Sequence, residues 1–209
     1  MSRIYPVIDQ LIDQFLEEED HIPQSRQHII EDLVKNIRDV QKSKEPVRLN
    51  FICTHNSRRS QMAQIWAHAL AHSFQIPSVE CYSGGTEVTA FHPNAIRAMK
   101  TLGFQITPET PSSNGPNPRW HVSAGSNLTE LVCYSKKIED SIDQSLPFIA
   151  VMTCSDADQN CPVVPGAQSR AAFTFEDPKS TDGTDKEQQA YLKTAVGIGR
   201  ELTSVFKSL

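Results

Sequence analysis

The sequence predicts an α/β fold, an open parallel sheet with helices on both faces, and three observations predict it. β-rich runs at residues 47–53 (VRLNFIC), 79–83 (VECYS), 148–154 (FIAVMTC) and 171–175 (AAFTF) recur along the chain. Apolar residues between and after them fall at helical spacing, and such alternation is the signature of parallel strands joined by crossover helices. The run at 148–154 is almost continuously apolar, as a strand covered on both faces should be. The 209 residues are 38% hydrophobic and 22% charged, unlike a disordered or fibrous chain. At roughly 150 residues per domain, the length corresponds to ~1.4 domains.

The surplus lies at the N-terminus. Ile8, Leu11, Ile12, Phe15 and Leu16 follow the i, i+3, i+4, i+7, i+8 pattern of an amphipathic helix. His21-Ile22-Pro23 breaks it, and Ser25 is placed to cap a second helix with Ile30, Leu33, Val34 and Ile37 on one face. Two short helices cannot bury their apolar faces alone, so the hairpin is expected to dock on the main domain or on another subunit. Residues 1–47 hold ten acidic and six basic side chains, a net −4 against −1 for the remaining 162 residues, which sets them apart as a separate unit. The expected division is an N-terminal helical extension over 1–46 and a main domain over 47–209.

Within the main domain, Met62, Ile65, Trp66, Ala69 and Leu70 have helical spacing, and Gly84-Gly85 is expected to end the second strand. Pro93 suits a first helical position, with Ile96, Met99 and Leu102 as the stripe and Gly103 as the stop. Residues 108–118 carry four prolines and read as loop. Two short β-like runs follow at 119–123 and 129–135 around Gly125-Ser126-Asn127, so a β-hairpin insertion is expected over about 108–147, with Trp120 and Cys133 as packing residues. The last helix is expected to start near Asp185, with Gln188 completing a capping box.

Several function classes are excluded. No run reaches the ~18 apolar residues of a membrane span. A net charge of −5 without a Lys/Arg block argues against nucleic-acid and anionic-membrane partners. The N-terminal residues show no basic stretch followed by an apolar one, and five irregularly spaced cysteines do not form a disulfide framework, so a cytoplasmic protein with reduced thiols is expected. Cys81 reads as a buried thiol. His68 and His72 share a helix face without a third ligand in view, so no metal site is expected.

The chemistry concentrates at Cys53-Thr54-His55-Asn56-Ser57-Arg58-Arg59-Ser60, between the first strand and a helix. Five residues between Cys53 and Arg59 suffice to wrap a loop, Thr54 to Arg58 with Ser60, around a tetrahedral oxyanion. Its backbone N–H groups and the helix N-terminus would face the anion. Arg59 offers a planar fork for two oxygens, which Lys cannot. The same field favours a thiolate nucleophile at Cys53, to which Ser60 can donate a hydrogen bond. Expelling an alkoxide calls for a general acid. Asp177, in Glu176-Asp177-Pro178 after the last strand, reaches the same edge of an open parallel sheet.

The C-x5-R-S loop after the first strand and the late Asp-Pro resemble the low-molecular-weight protein tyrosine phosphatases over about residues 47–209. The resemblance implies a four-stranded parallel sheet, Cys53 as nucleophile, Arg59 as oxyanion clamp and Asp177 as general acid. The thioredoxin-coupled arsenate reductases of that superfamily are more similar still. The stretches Phe51-Ile52-Cys53-Thr54, Asn56-Ser57 and Arg59-Ser60-Gln61-Met62-Ala63 resemble their loop, and Cys154-Ser155-Asp156-Ala157-Asp158-Gln159-Asn160-Cys161-Pro162 resembles their redox segment. Ordinary phosphatases of this fold lack that cysteine pair. The resemblance therefore implies a relay in which Cys53, Cys154 and Cys161 reduce arsenate to arsenite and thioredoxin restores the thiols.

This chain also departs from the pattern. His55 stands where the reductases usually carry Gly, a costly choice if the position needs a positive φ. Arg58 replaces a small or apolar residue and adds a positive charge. The resemblance places a potassium ion near Asn56 and Ser83, but Gln64 stands where several members have the Glu that helps hold it. The 108–147 insertion is expected near the site, selecting substrate. The alternative function is a protein tyrosine phosphatase acting on phosphate esters, which needs only Cys53, Arg59 and Asp177. A non-enzymatic oxyanion sensor is disfavoured by those three intact residues.

Overall fold

The computed structural model describes residues 3–109, 115–160 and 163–209. A short strand β1 (Arg3–Ile4) precedes helices α1 (Pro6–Glu17) and α2 (Gln24–Lys42). The α/β part follows as β2 (Val47–Cys53), α3 (Arg59–Ser73), β3 (Val79–Gly85) and α4 (Pro93–Thr101). Next come β4 (Gln105–Pro108), β5 (Trp120–Ser123), β6 (Gly125–Ser126) and β7 (Leu131–Cys133). The chain returns through β8 (Phe148–Met152), α5 (Ser155–Asn160), β9 (Ala167–Ala172) and α6 (Glu187–Lys207).

The expected open parallel sheet is formed by four strands in the order β3–β2–β8–β9, all pairs parallel. The chain leaves β2 toward β3 on one side and later returns to β8 on the other. This topological switch opens a crevice at the C-terminal end of β2, where ligands of such sheets bind. All seven residues of β2 and all five of β8 are buried; β8 accordingly reads as a continuous apolar run, whereas β2 also buries Arg48 and Asn50, which bond Glu80 and Ser141. Leu49, Phe51, Ile149 and Val151 join the larger core with α1, α2, α3, α4 and α6, whereas Ile52, Phe148, Ala150 and Met152 join a smaller one with Ala157 and Val164.

The N-terminal hairpin docks on the α/β part. Ile8, Ile12, Phe15, Ile30, Leu33 and Ile37 are continuous with the core of Phe51, Trp66 and Phe206. Trp66 is the pivot. Phe15 and Phe104 meet its ring edge-on at 5.6 and 5.0 Å, and its Nε1 donates to the Ala195 carbonyl at 2.9 Å. This approach needs Gly199, because a Cβ there would stand 2.6 Å from Trp66 Cε2.

Several boundaries differ from the sequence expectation. α2 begins at Gln24, directly after Pro23 and without a side-chain cap, so Ser25 lies inside the first turn. The fixed φ of Pro23 sets the start. α6 begins at Glu187 with no side-chain N-cap, and Glu187 Oε2 accepts from the Gly183 N–H at 2.8 Å in place of the Asp185–Gln188 box. β3 runs through Gly84 and Gly85, which pair with Ile52 and Cys53 of β2 and do not end the strand. β9 lies at Ala167–Ala172, earlier than expected, while Phe173 and Phe175 continue beyond it with N–H bonds to the Met152 and Thr153 carbonyls. β8 ends at Met152, so Cys154 is already in the turn to α5.

The insertion forms an antiparallel sheet, β4–β5–β7, in which Trp120 pairs with Cys133. The hairpin was expected; its third strand was not, and Pro108 ends β4 where only loop was expected. β6 pairs with β1, tying the insertion to the N-terminus. Of the expected loop at 108–118, residues 110–114 lie outside the described residues.

Candidate active site

The loop after β2 is fixed by its own carbonyls. Thr54 O accepts from the Glu87 N–H at 2.8 Å and His55 O from Ser135 Oγ at 2.7 Å. Asn56 O accepts from Gln61 Nε2 at 3.1 Å and Ser57 O from the His92 N–H at 2.9 Å. Four successive carbonyls thus bond outward. In trans peptides the N–H groups of His55, Asn56, Ser57 and Arg58 then turn inward, making a concave nest for an anion. The crowding behind the loop requires Gly85, since a Cβ there would stand 2.7 Å from Asn56 N and from Thr54 O. The one positive φ in the loop falls on Asn56, at 45°, and not on His55. His55 therefore bears no left-handed strain, and Asn is among the residues that tolerate it.

Cys53 ends β2 with its Sγ 3.0 Å from Ser60 Oγ, on the first turn of α3. Asn56 Nδ2 donates to that same Oγ at 2.9 Å, leaving the hydroxyl proton free to point at sulfur. Arg59 is buried beside them. Its Nη1 donates to the Phe175 carbonyl at 2.8 Å, its Nη2 donates to Asp177 Oδ2 at 2.5 Å, and its Nε has no partner among the described residues. Asp177 Oδ1 accepts from the Lys179 N–H at 3.0 Å, capping the turn that Pro178 begins. Both carboxylate oxygens are thus occupied. An oxyanion taking the Arg59 fork would have to displace Asp177 from it, exchanging one anion for another. The hollow between these groups is about 120 Å³, lined by Cys53, Thr54, Arg58, Arg59, Asp156 and Asp177 among others. That is room for one tetrahedral oxyanion.

Arg58 does not face the hollow freely. Its Nε donates to Tyr191 Oη at 2.6 Å and its Nη2 to Asp182 Oδ2 at 3.1 Å. Tyr191 Oη in turn donates to Asp182 Oδ1 at 2.7 Å, and the His92 ring stacks on Tyr191. Burial holds the Tyr191 phenol well above its ordinary range, so it remains a donor. Burial, then the nearby Arg58 charge, pull His92 below the usual imidazole range. Nothing in the spacing of Arg58, Asp182 and Tyr191 announced this network.

The insertion supports the loop from behind. Ser135 Oγ holds the His55 carbonyl, the Lys136 N–H donates to Asn56 Oδ1 at 3.0 Å, and the Tyr134 carbonyl accepts from Gln61 Nε2 at 2.8 Å. None of these three residues lines the 120 Å³ hollow.

The residues implied for potassium do not fit that ion. Asn56 Oδ1 already accepts from Gln61 Nε2 and the Lys136 N–H. Ser83 Oγ donates to Gln64 Oε1 at 2.6 Å. The buried Lys136 ammonium stands on the Ser83 carbonyl at 3.4 Å and over the Tyr134 ring at 4.5 Å. Burial lowers its proton affinity below that of an ordinary lysine. A second cation beside it would meet spent oxygens and repulsion.

Cys154 lies two residues past the end of β8, the strand beside β2. It is fully buried, its Sγ 3.7 Å from Thr54 Oγ1 and 3.3 Å from the Ala157 N–H. Cys161 and Pro162 lie outside the described residues. Cys81 and Cys133 are core thiols whose pKa burial raises, Cys133 to about 12. His68 and His72 meet edge-on at 4.8 Å, with His68 Nε2 on the Thr129 carbonyl. No cluster of three metal-ligating side chains occurs among the described residues.

Comparison with known proteins agrees with this geometry. The family described as low molecular weight phosphotyrosine protein phosphatase matches residues 48–118. An arsenate reductase of Halalkalibacterium halodurans is 30% identical over 146 residues, covering 68% of this chain and 82% of that protein. Arsenate reductase 2 of Staphylococcus haemolyticus is 34% identical over 148 residues, covering 70% and 90%. Among solved structures, a low molecular weight phosphotyrosine phosphatase of Vibrio cholerae superposes with a TM-score of 0.50 at 14% identity. It covers 78% of this chain and 95% of that one, a likeness of fold.

Proposed function

The chain belongs to the low-molecular-weight phosphotyrosine protein phosphatase superfamily and, within it, to the arsenate reductases, and from that premise we propose that it reduces arsenate to arsenite with thioredoxin as electron donor. The oxyanion enters the loop and takes the Arg59 fork from Asp177. The Cys53 thiolate attacks arsenic, and Asp177, released from Arg59 and protonated, gives its proton to the departing oxygen, which leaves as water. A sulfur–arsenic bond has formed and arsenic is still pentavalent. The Cys154 thiolate then attacks Cys53 Sγ. A Cys53–Cys154 disulfide forms, and the sulfur–arsenic bond breaks with its electron pair going to arsenic, which departs as trivalent arsenite. The Cys161 thiolate attacks Cys154, freeing Cys53, and the dithiol of thioredoxin reduces the Cys154–Cys161 disulfide.

The position of Cys154 carries this reading. Its thiol is buried against Thr54, the neighbour of the nucleophile, and α5 follows it with Ala157 as its one buried residue. The cytoplasm, where thiols are kept reduced, suits the relay. No helix among the described residues is long and apolar enough to cross a membrane.

A second reading rests on the Cys53–Arg59–Asp177 set, which is complete without the other two thiols and suits hydrolysis of phosphate esters through a cysteinyl-phosphate. One experiment separates the readings: NADPH oxidation with arsenate, thioredoxin and thioredoxin reductase, comparing native protein with Cys161→Ser. The expected result is arsenate-dependent turnover that vanishes in the variant while ester hydrolysis survives. A native protein with a reactive Cys53 and no arsenate turnover refutes the reductase and leaves the phosphatase.

A further inference from the structure

The N-terminal extension sends one charged side chain to the segment that carries Asp177. Arg26, on the first turn of α2, donates through Nε and Nη2 to the carboxylate of Glu201 on α6, at 3.0 and 2.6 Å. The pair is largely shielded from water, with side-chain exposures of 18% and 11%. This fork holds the guanidinium over the Phe175 ring, 4.9 Å from its centroid, and 5.7 Å from that of Phe173. The two rings meet edge-on at 5.2 Å. The carbonyl of Phe175 is the acceptor for Arg59 Nη1, and two residues later Asp177 accepts from Arg59 Nη2.

Past the end of β9, Phe173 is buried in the core while Phe175 is only half-buried at its edge. The Phe173 and Phe175 N–H groups bond the Met152 and Thr153 carbonyls at 2.9 and 3.2 Å. What lies on the Phe175 ring anchors the side chain, and an anchored side chain limits how far the backbone that carries the Phe175 carbonyl can shift. A guanidinium forked onto a buried carboxylate is a firm and directional cover. Lysine has neither the fork nor the flat face.

We propose that Arg26 is a positioning residue for Arg59 and Asp177, so that the N-terminal helices are part of the support of the oxyanion site. The line runs from Glu201 through Arg26 and the Phe175 ring to the Phe175 carbonyl and the Arg59 fork. It concerns the presentation of the anion clamp and of the acid, and stands whether the substrate is arsenate or a phosphate ester.

The test uses the full chain with Arg26→Met, with Arg26→Met combined with Glu201→Gln so that no buried carboxylate is left unpaired, and with Arg26→Lys. The first readout needs no turnover: protection of Cys53 from iodoacetamide by inorganic phosphate. Protection is expected to weaken about fivefold in all three variants, while the alkylation rate without phosphate stays native, because a misplaced Arg59 fork loses one of its two contacts. The second readout is the hydrolysis of phenyl phosphate, whose leaving group needs a proton, against p-nitrophenyl phosphate, whose leaving group needs it less. The expected loss is about tenfold for the first and about twofold for the second. Native phosphate protection in the double variant overturns the proposal. So does full recovery in Arg26→Lys, which would make charge and not placement the cause. If the native protein hydrolyses neither ester, the phosphatase reading fails, and the protection assay still decides the role of Arg26.

Discussion

β2 and β8 are neighbouring parallel strands that deliver Cys53 and Cys154 to the same edge of the sheet, yet the two thiols sit in opposite surroundings. Cys53 opens into α3, fifteen residues long with twelve of them buried, and its loop is tied on every carbonyl. Cys154 opens into α5, six residues long with Ala157 alone buried. A helix that buries so little apolar surface unwinds at small cost, whereas α3 cannot open without exposing Trp66 and much of the core. The contrast suits the proposed relay, in which Cys53 presents one geometry to an oxyanion while Cys154 meets first one sulfur and then another.

The largest effects that would break or sharpen this comparison are chemical. Cys53→Ser is expected to remove both arsenate reduction and ester hydrolysis to the detection limit. Cys154→Ser is expected to remove arsenate cycling and leave the hydrolysis of p-nitrophenyl phosphate within about twofold of native. Equal loss of both activities in the two variants would mean that Cys154 belongs to the oxyanion cup and not to a separate relay.

Next in size is stability. Gly199→Ala presses a methyl group into Trp66 and is expected to cost about 1–3 kcal/mol in denaturant unfolding. Gln159→Ala, exposed on α5, is expected to stay within about 0.5 kcal/mol. A destabilising effect at Gln159 as large as that at Gly199 would remove the distinction between a rigid and a lightly held side. The smallest expected effect is a null one. With Lys136 standing among the oxygens near Asn56 and Ser83, exchanging potassium for sodium or choline at constant ionic strength should leave turnover unchanged. A clear stimulation by potassium would show that the ammonium yields its place.

Legibility followed sequence distance. The parallel sheet was readable because a strand buried on both faces tends to be apolar, as β8 is throughout, and because strand-like runs alternate with helical spacing. Boundaries were less so. Glycines that read as a strand end at Gly84-Gly85 are instead strand residues, and at Gly85 the reason is steric, the backbone of the Cys53 loop passing too close for a Cβ. β4 was missed because four residues with no apolar alternation become a strand only when β5 lies beside them. That Tyr134, Ser135 and Lys136 of the insertion hold the loop from behind is a choice of side that hairpin periodicity does not encode.

The sequence by itself determined the pairing of the proposed nucleophile with its proposed clamp. Cys53 and Arg59 lie six residues apart in one loop, and a loop of that length at a strand-to-helix turn closes around an anion whatever surrounds it. The tertiary structure alone decided how Arg59 meets Asp177, how Arg58 is held by Tyr191 and Asp182, how Lys136 comes to stand beside Ser83, and how Arg26 reaches Phe175. Each of these pairs is separated by more than fifty residues of chain. Their meeting depends on how helices and sheet stack, which is set by the whole core, and no local pattern of residues records it.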